Sequence, residues 1–267
     1  MLHSLALLAL SLLPHPPVQE HSLTGDVSEA EFKAMHQLKT GEKPVLAGTP
    51  VEVGGAHCYL SLPKTPRAGS RAIVVIHEWW GLNDNIRLWA DRLAADGYAA
   101  LAVDLYGGVV ATNSDEAMAA MKKVDDTKAL AVLVAAEKFL REDPRVKAGK
   151  VASLGWCFGG GKSLLLGLNS KTLDACVLYY GFLEQDPAKL DQLACPLLGI
   201  FGAKDRSIKP TDVAQFLTTL TGAGKDARVM IFPAEHAFAN PSNKIYDEAN
   251  ASIAWENVRM FLEQKLK

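Results

Sequence analysis

A thiol, a carboxylate and an imidazole follow one another along this 267-residue chain, each just beyond an apolar run. The thiol is Cys157, in GWCFGGG at residues 155–161, between the run VASLG and the helical period GGGKSLLLGL. Thiolate, not thiol, is the nucleophile, and a free cysteine with a pKa of about 8.5 needs a base or a positive field to react near neutrality. A helix starting directly after Cys157 supplies part of that field, because its positive end faces the sulfur. Asp205 in FGAKDRSI and His236 in FPAEHAFANP follow two later apolar runs. The order nucleophile, acid, base permits covalent catalysis in which His236 is the base and Asp205 orients it. Blander readings exist for each residue alone. Cys157 could be a buried cysteine in a glycine-rich turn or part of a phosphate loop, which GGGKS matches only in part. Asp205 could cap a helix, and His236 could sit in a surface loop. Their joint placement past successive strands favours the triad.

Those residues need a frame, and the hydropathy pattern provides one. After Gly69, continuous apolar runs alternate with helical periods, the signature of a parallel sheet covered on both faces. The runs are residues 72–76, 98–103, 151–155, 175–181, 196–202 and 227–232, and the predicted order is β-α-β-α-α-β-α-β-β-α-β-α. A doubly wound α/β domain follows, with chemistry expected just past the carboxyl ends of its strands. Four of those ends carry His77-Glu78, Cys157, Asp205 and His236. Before the parallel part, residues 44–64 alternate between turn residues and short runs and predict an antiparallel hairpin. EAEFKAMHQL predicts a short helix. The expected organisation is a leader at 1–21, a linker with a short helix at 22–44, and one domain at 45–267.

His3, His15, His21 and His36 precede the sheet, His57 lies in the hairpin, and His77 precedes the nucleophile as a buried structural residue, so His236 is the better base. Cys58, Cys176 and Cys195 are widely spaced, with no metal-ligand pattern. Cys176 and Cys195, in or beside apolar runs, read as small buried hydrophobes.

The segments HEWWGLND (77–84), GYAALAVDLY (97–106), GWCFGG, GAKDRSI and EHAFANP together resemble the dienelactone hydrolase family over most of residues 45–265. The resemblance implies an α/β-hydrolase fold with Cys157, His236 and Asp205 as nucleophile, base and orienter. It also implies that Glu78 helps control the cysteine's ionisation and that the backbone N–H groups of Trp79 and Phe158 form an oxyanion hole. No cofactor or metal is implied. A blander reading of Glu78 is a carboxylate satisfied by backbone donors at a strand end. One departure bears on substrate. Where the family's dienelactone-cleaving members carry two carboxylate-binding arginines, this chain has Gly108 and Asn240, with Arg87 and Arg206 only nearby. Hydrolysis of some other ester or lactone is therefore expected. Trp79, Trp80, Tyr106, Phe158 and Phe238 are placed around the site, as substrate walls or as core.

With 49% hydrophobic residues, 22% charged residues and a net charge of -2, the chain can build a full core and gives no electrostatic reason for nucleic-acid binding. A small molecule is the expected partner. The apolar stretch Leu5–Leu13 is too short to span a bilayer but suits the hydrophobic part of a signal. It lacks a preceding Lys or Arg and a clear cleavage site. Export to the periplasm or medium is one reading, and a cytoplasmic protein with an over-extended start or a docked apolar arm is the other. Acyl transfer or thioesterase chemistry at the same cysteine, a non-catalytic ligand-binding relative, and a redox-sensing thiol are the competing functions.

Overall fold

The computed structural model describes residues 27–36, 43–65 and 70–267. The expected leader, residues 22–26, residues 37–42, which include the last two residues of the expected first helix, and residues 66–69 lie outside these. A single eight-stranded sheet runs in the order β1-β2-β4-β3-β5-β6-β7-β8. The hairpin β1 (Thr49–Val53) and β2 (Ala56–Ser61) is antiparallel, and β2 joins β4 (Ala99–Val103) antiparallel. From β4 onward every pairing is parallel: β3 (Arg71–Ile76), β5 (Lys150–Trp156), β6 (Ala175–Tyr179), β7 (Leu197–Gly202) and β8 (Ala227–Phe232). This is the α/β-hydrolase architecture.

Side chains alternate across the sheet with a period of two, and each face finds its own helices. Ile73, Val75, Leu154, Trp156 and Ile200 pack with α1 (Glu29–His36), α2 (Asp84–Ala95) and α8 (Glu248–Lys265). Val74, Ile76, Leu101, Leu178 and Phe201 pack with α4 (Asp126–Glu142), α5 (Phe158–Asn169) and α7 (Pro210–Gly222). Burial on both faces is why the strands read as continuous apolar runs rather than as alternation. The helix starts carry expected caps: Asn83, Asp125 and Asp247 side chains each accept from a backbone N–H in the first turn. Two helices add detail. A short α6 (Pro187–Leu190) interrupts the expected β-β step. The polar N-terminal segment is docked through α1, where Phe32 packs on Trp89 and Glu29 pairs with buried Arg92 at 2.8 Å. Among the described residues no helix is long and apolar enough to cross a membrane.

Candidate active site

The turn from β5 into α5 places Cys157 in a conformation that L-residues avoid, with φ 54° and ψ -116°. Such backbone costs on the order of 1–3 kcal/mol and persists only where its surroundings fix it. Two clamps do so: the Cys157 N–H donates to Tyr179 O at 3.0 Å, and the Gly161 N–H donates to Cys157 O at 3.2 Å. The helix can begin this close to the sheet because Gly159 has no β-carbon. A Cβ there would overlap the carbonyl oxygens of Ile76 and His77 at the end of β3. Both obstacles are backbone and cannot swing away. Gly159→Ala is therefore expected to cost about 1–3 kcal/mol as an overpacking change. Thermal melts beside wild type check this, since each kcal/mol moves the midpoint by roughly 2–4 °C in a chain this size.

His236 and Asp205 meet because the loops after β7 and β8 are stitched together. Ala203 N–H donates to Phe232 O at 2.7 Å and Lys204 N–H to Ala234 O at 3.0 Å. Asp205 Oδ1 accepts from the Ser207 and Ile208 N–H groups at 2.8 and 3.0 Å, which fixes the carboxylate plane. Its Oδ2 accepts from His236 Nδ1 at 2.6 Å. Cys157 is also near enough to act electrostatically on the imidazole. Burial lowers the His236 pKa, but the bond to Asp205 and the attraction of Cys157 and Asp205 outweigh it and push the value up to about 10. Burial acts to raise the Asp205 pKa, and the donors from His236, Ile208 and Ser207 overcome it and hold the carboxyl below its ordinary range. Asp205 and His236 are thus in direct contact through Nδ1, and Cys157 lies near enough to act on the same imidazole.

Past β3, His77 and Glu78 separate in role. His77 is fully buried, hydrogen-bonds Glu78 O through Nδ1, and accepts the Leu105 N–H at Nε2 at 3.1 Å. That tautomer is neutral, and burial lowers its pKa. Glu78 is also buried; Asn240 Nδ2 donates to its Oε2, while its Oε1 has no hydrogen-bond partner among the described residues. Burial raises its pKa, and attraction to His236 with the Asn240 bond offsets this only in part, leaving about 7. Between the ordinary value of 4.5 and 7, the folded chain holds a proton that the unfolded chain has released. This group's contribution to stability therefore falls as pH rises through that window. Glu78→Gln is expected to stabilise the fold at pH 8, by at most about 3 kcal/mol, and to change little at pH 4.5. Urea unfolding at the two pH values measures the difference, and an equal effect at both would refute the charge-burial account.

The aromatic residues divide between wall and core. Trp79 and Trp80 are partly exposed and meet edge to face at 4.8 Å, and Tyr106 stands 5.2 Å from Phe158. Phe158 stacks on His77 at 5.5 Å, placing the residue after the nucleophile against the end of β3. Phe238 is fully buried against Phe232 and belongs to the core. Tyr180 was not expected at the site. Its ring lies 5.0 Å from His236, and its φ of 36° turns it at the end of β6. The signal was available: β6 neighbours β5, so the residues after it, YYG, must border the nucleophile.

At the two positions noted for their missing arginines, Asn240 engages Glu78 and the Gly108 N–H donates to Asp104. Arg87 is tied to Asp84 at 2.7 Å, and Arg206 is exposed.

Residues 57–266 match the model of the dienelactone hydrolase family. Protein usf of Aquifex pyrophilus is 31% identical over 211 residues, covering 76% of this chain and 91% of that protein. A protein of Aquifex aeolicus named "Putative carboxymethylenebutenolidase" is 30% identical over 214 residues, covering 76% of this chain and 92% of that one. Among solved structures, a "Putative Dienelactone Hydrolase" from Klebsiella pneumoniae superposes with a TM-score of 0.76 at 25% identity, covering 82% of this chain and 99% of the other. A match that spans all but the N-terminal part of the sequence, on a sheet of this order, means that the chain belongs to the dienelactone hydrolase family.

Proposed function

We propose that the protein hydrolyses an uncharged carboxylic ester or lactone through a thioester on Cys157. The observation that carries this is the pairing of acid and base beside the nucleophile: Asp205 Oδ2 accepts the Nδ1–H bond of His236 at 2.6 Å, and Cys157, at the start of α5, is near enough to that imidazole to raise its proton affinity. Family membership and the carboxymethylenebutenolidase named among the relatives support the reaction class.

The steps balance without a cofactor. His236 takes the thiol proton, and the thiolate attacks the carbonyl carbon, forming a C–S bond. The backbone N–H groups of Trp79 and Phe158 stabilise the resulting oxyanion, a contribution typically on the order of 100-fold or more per donor. Collapse breaks the C–O bond, and His236 gives its proton to the departing alcohol oxygen. Water, deprotonated by His236, then attacks the thioester, the C–S bond breaks, and the acid leaves as the thiol is restored. Glu78, with a proton affinity near neutrality and its charge felt by His236, adjusts the ionisation of the pair. Asn240 and Gly108 carry no charge and Arg87 is paired with Asp84, so none of the three offers a free cation to a substrate carboxylate, which supports an uncharged substrate.

Mixing the protein with p-nitrophenyl esters and small lactones, followed by intact-mass analysis, tests the reading. The expected result is turnover with a transient adduct of the acyl mass that maps to Cys157. Turnover with the acyl group mapping to another residue would overturn it.

A further inference from the structure

The helix α3 (Ser114–Lys122) belongs to neither core layer, and Ala117 is its buried residue. Between it and the segment after β4 lies a cavity of about 420 Å³, within the roughly 300–1,000 Å³ range of small-molecule sites. Its walls are mainly apolar: Leu105, Tyr106 and Val109 on one side, Ala119, Ala120 and Val124 on the other. Glu116 and Lys123 also line it, and the Glu116 carboxylate is held by the Thr112 N–H at 2.8 Å and hydroxyl at 2.9 Å. The cavity lies at the carboxyl ends of the strands, the same rim that carries Glu78 and Cys157.

Two observations connect it to the reacting atoms. Tyr106 is a shared wall: its ring touches both His77 at 4.6 Å and Phe158 at 5.2 Å, and its buried hydroxyl has no hydrogen-bond partner among the described residues. Burial, and then negative charge on Cys157, both raise the pKa of that hydroxyl, so the thiol is within electrostatic reach of it. The loop bearing Val109 is also tied to the Glu78–Gly81 segment, through Ala111 N–H to Trp80 O at 2.9 Å. A Cβ at Gly81 would overlap Val109 O, so the two loops are in close contact.

Sheet order then decides which half of a substrate enters. His236 protonates the leaving alcohol, and it stands past β8, on the β6-β7-β8 side of the nucleophile's strand. The cavity stands past β4, on the opposite side, beyond β3. An alcohol directed at His236 leaves the acyl group directed at Tyr106.

We propose that this cavity is the acyl pocket, receiving an apolar, medium-length acyl arm with Tyr106 at the junction between pocket and carbonyl. The proposal rests on the thioester reading above and extends it to substrate class. The test compares p-nitrophenyl octanoate with p-nitrophenyl acetate, using wild type and Ala120→Phe, which fills the cavity from α3. Wild type is expected to favour octanoate, and Ala120→Phe to lower the octanoate-to-acetate ratio of kcat/KM about tenfold or more. The ratio with octyl acetate, which carries its chain on the alcohol, should follow the acetate behaviour. An unchanged octanoate preference in Ala120→Phe, or an equal loss for octyl acetate, overturns the assignment. Should Ala120→Phe melt early, Ala120→Leu makes the same comparison with a smaller intrusion. Calorimetric titration of Cys157→Ala with octanoate separates pocket from chemistry. Binding that the additional Ala120→Phe change removes supports the pocket even if Cys157 proves not to be the nucleophile, and no binding counts against it.

Discussion

Cys157→Ala is expected to lower kcat/KM for an activated ester by about 10⁴-fold or more, to the level that oxyanion donors and binding alone can sustain. The size follows from the route. Every step of the proposed cycle passes through the C–S bond at Cys157. The variant also separates chemistry from folding. Alanine keeps the β-carbon, the φ of 54° must still be held by the Tyr179 and Gly161 bonds, and Cys157 is only partly buried. The melting temperature should therefore stay close to that of wild type while turnover and the mass adduct vanish. Retention of more than about a tenth of the wild-type rate, on the scale where triad members cost many thousandfold, would sink the nucleophile assignment.

How much of this was legible beforehand depends on the range of the interaction. The six parallel strands were readable because burial on both faces writes itself as a local run of apolar residues, and the structure places strands within all six. The elbow was readable because the glycines at 155 and 159 are a local consequence of packing the start of α5 against β5 and the end of β3. The four residues of α6 are too few for a helical period to appear. Asn240 and Glu78 lie 162 positions apart, and no periodicity connects them. In the sequence, Asn240 registers only as an absent arginine; in the fold, it is the amide that holds one oxygen of a buried carboxylate. Tyr180 was hidden for the same reason: strand neighbours, unlike strand identities, depend on the topology of the whole sheet. The even reading of Phe238 as wall or core resolves to core because its ring packs between Tyr180 and Phe232.

Asp205→Asn is the second large effect, and it acts without touching a reacting atom. The two backbone donors, Ser207 and Ile208, require an oxygen at the Oδ1 position. An asparagine that satisfies them must turn its NH₂ toward His236 Nδ1, where wild type presents Oδ2. A donor facing Nδ1 selects the tautomer with its proton on Nε2, so the nitrogen facing the thiol can no longer accept the thiol's proton. The loss of the carboxylate also removes the strongest interaction that holds the His236 pKa up against burial, so the imidazolium form is lost at lower pH than in wild type. By analogy with triads in which the same exchange has been made, kcat is expected to fall about 10⁴-fold. The amide keeps both backbone bonds but gives up the charge pairing with His236, so the fold is expected to lose some stability at pH 7 as well. Two readouts distinguish this account from general damage: His236 ring shifts followed by NMR should show a lowered pKa, and alkylation of Cys157 by iodoacetamide should slow at neutral pH. A variant with lost activity but an unchanged imidazole pKa and alkylation rate would show that Asp205 supports the loop rather than the base.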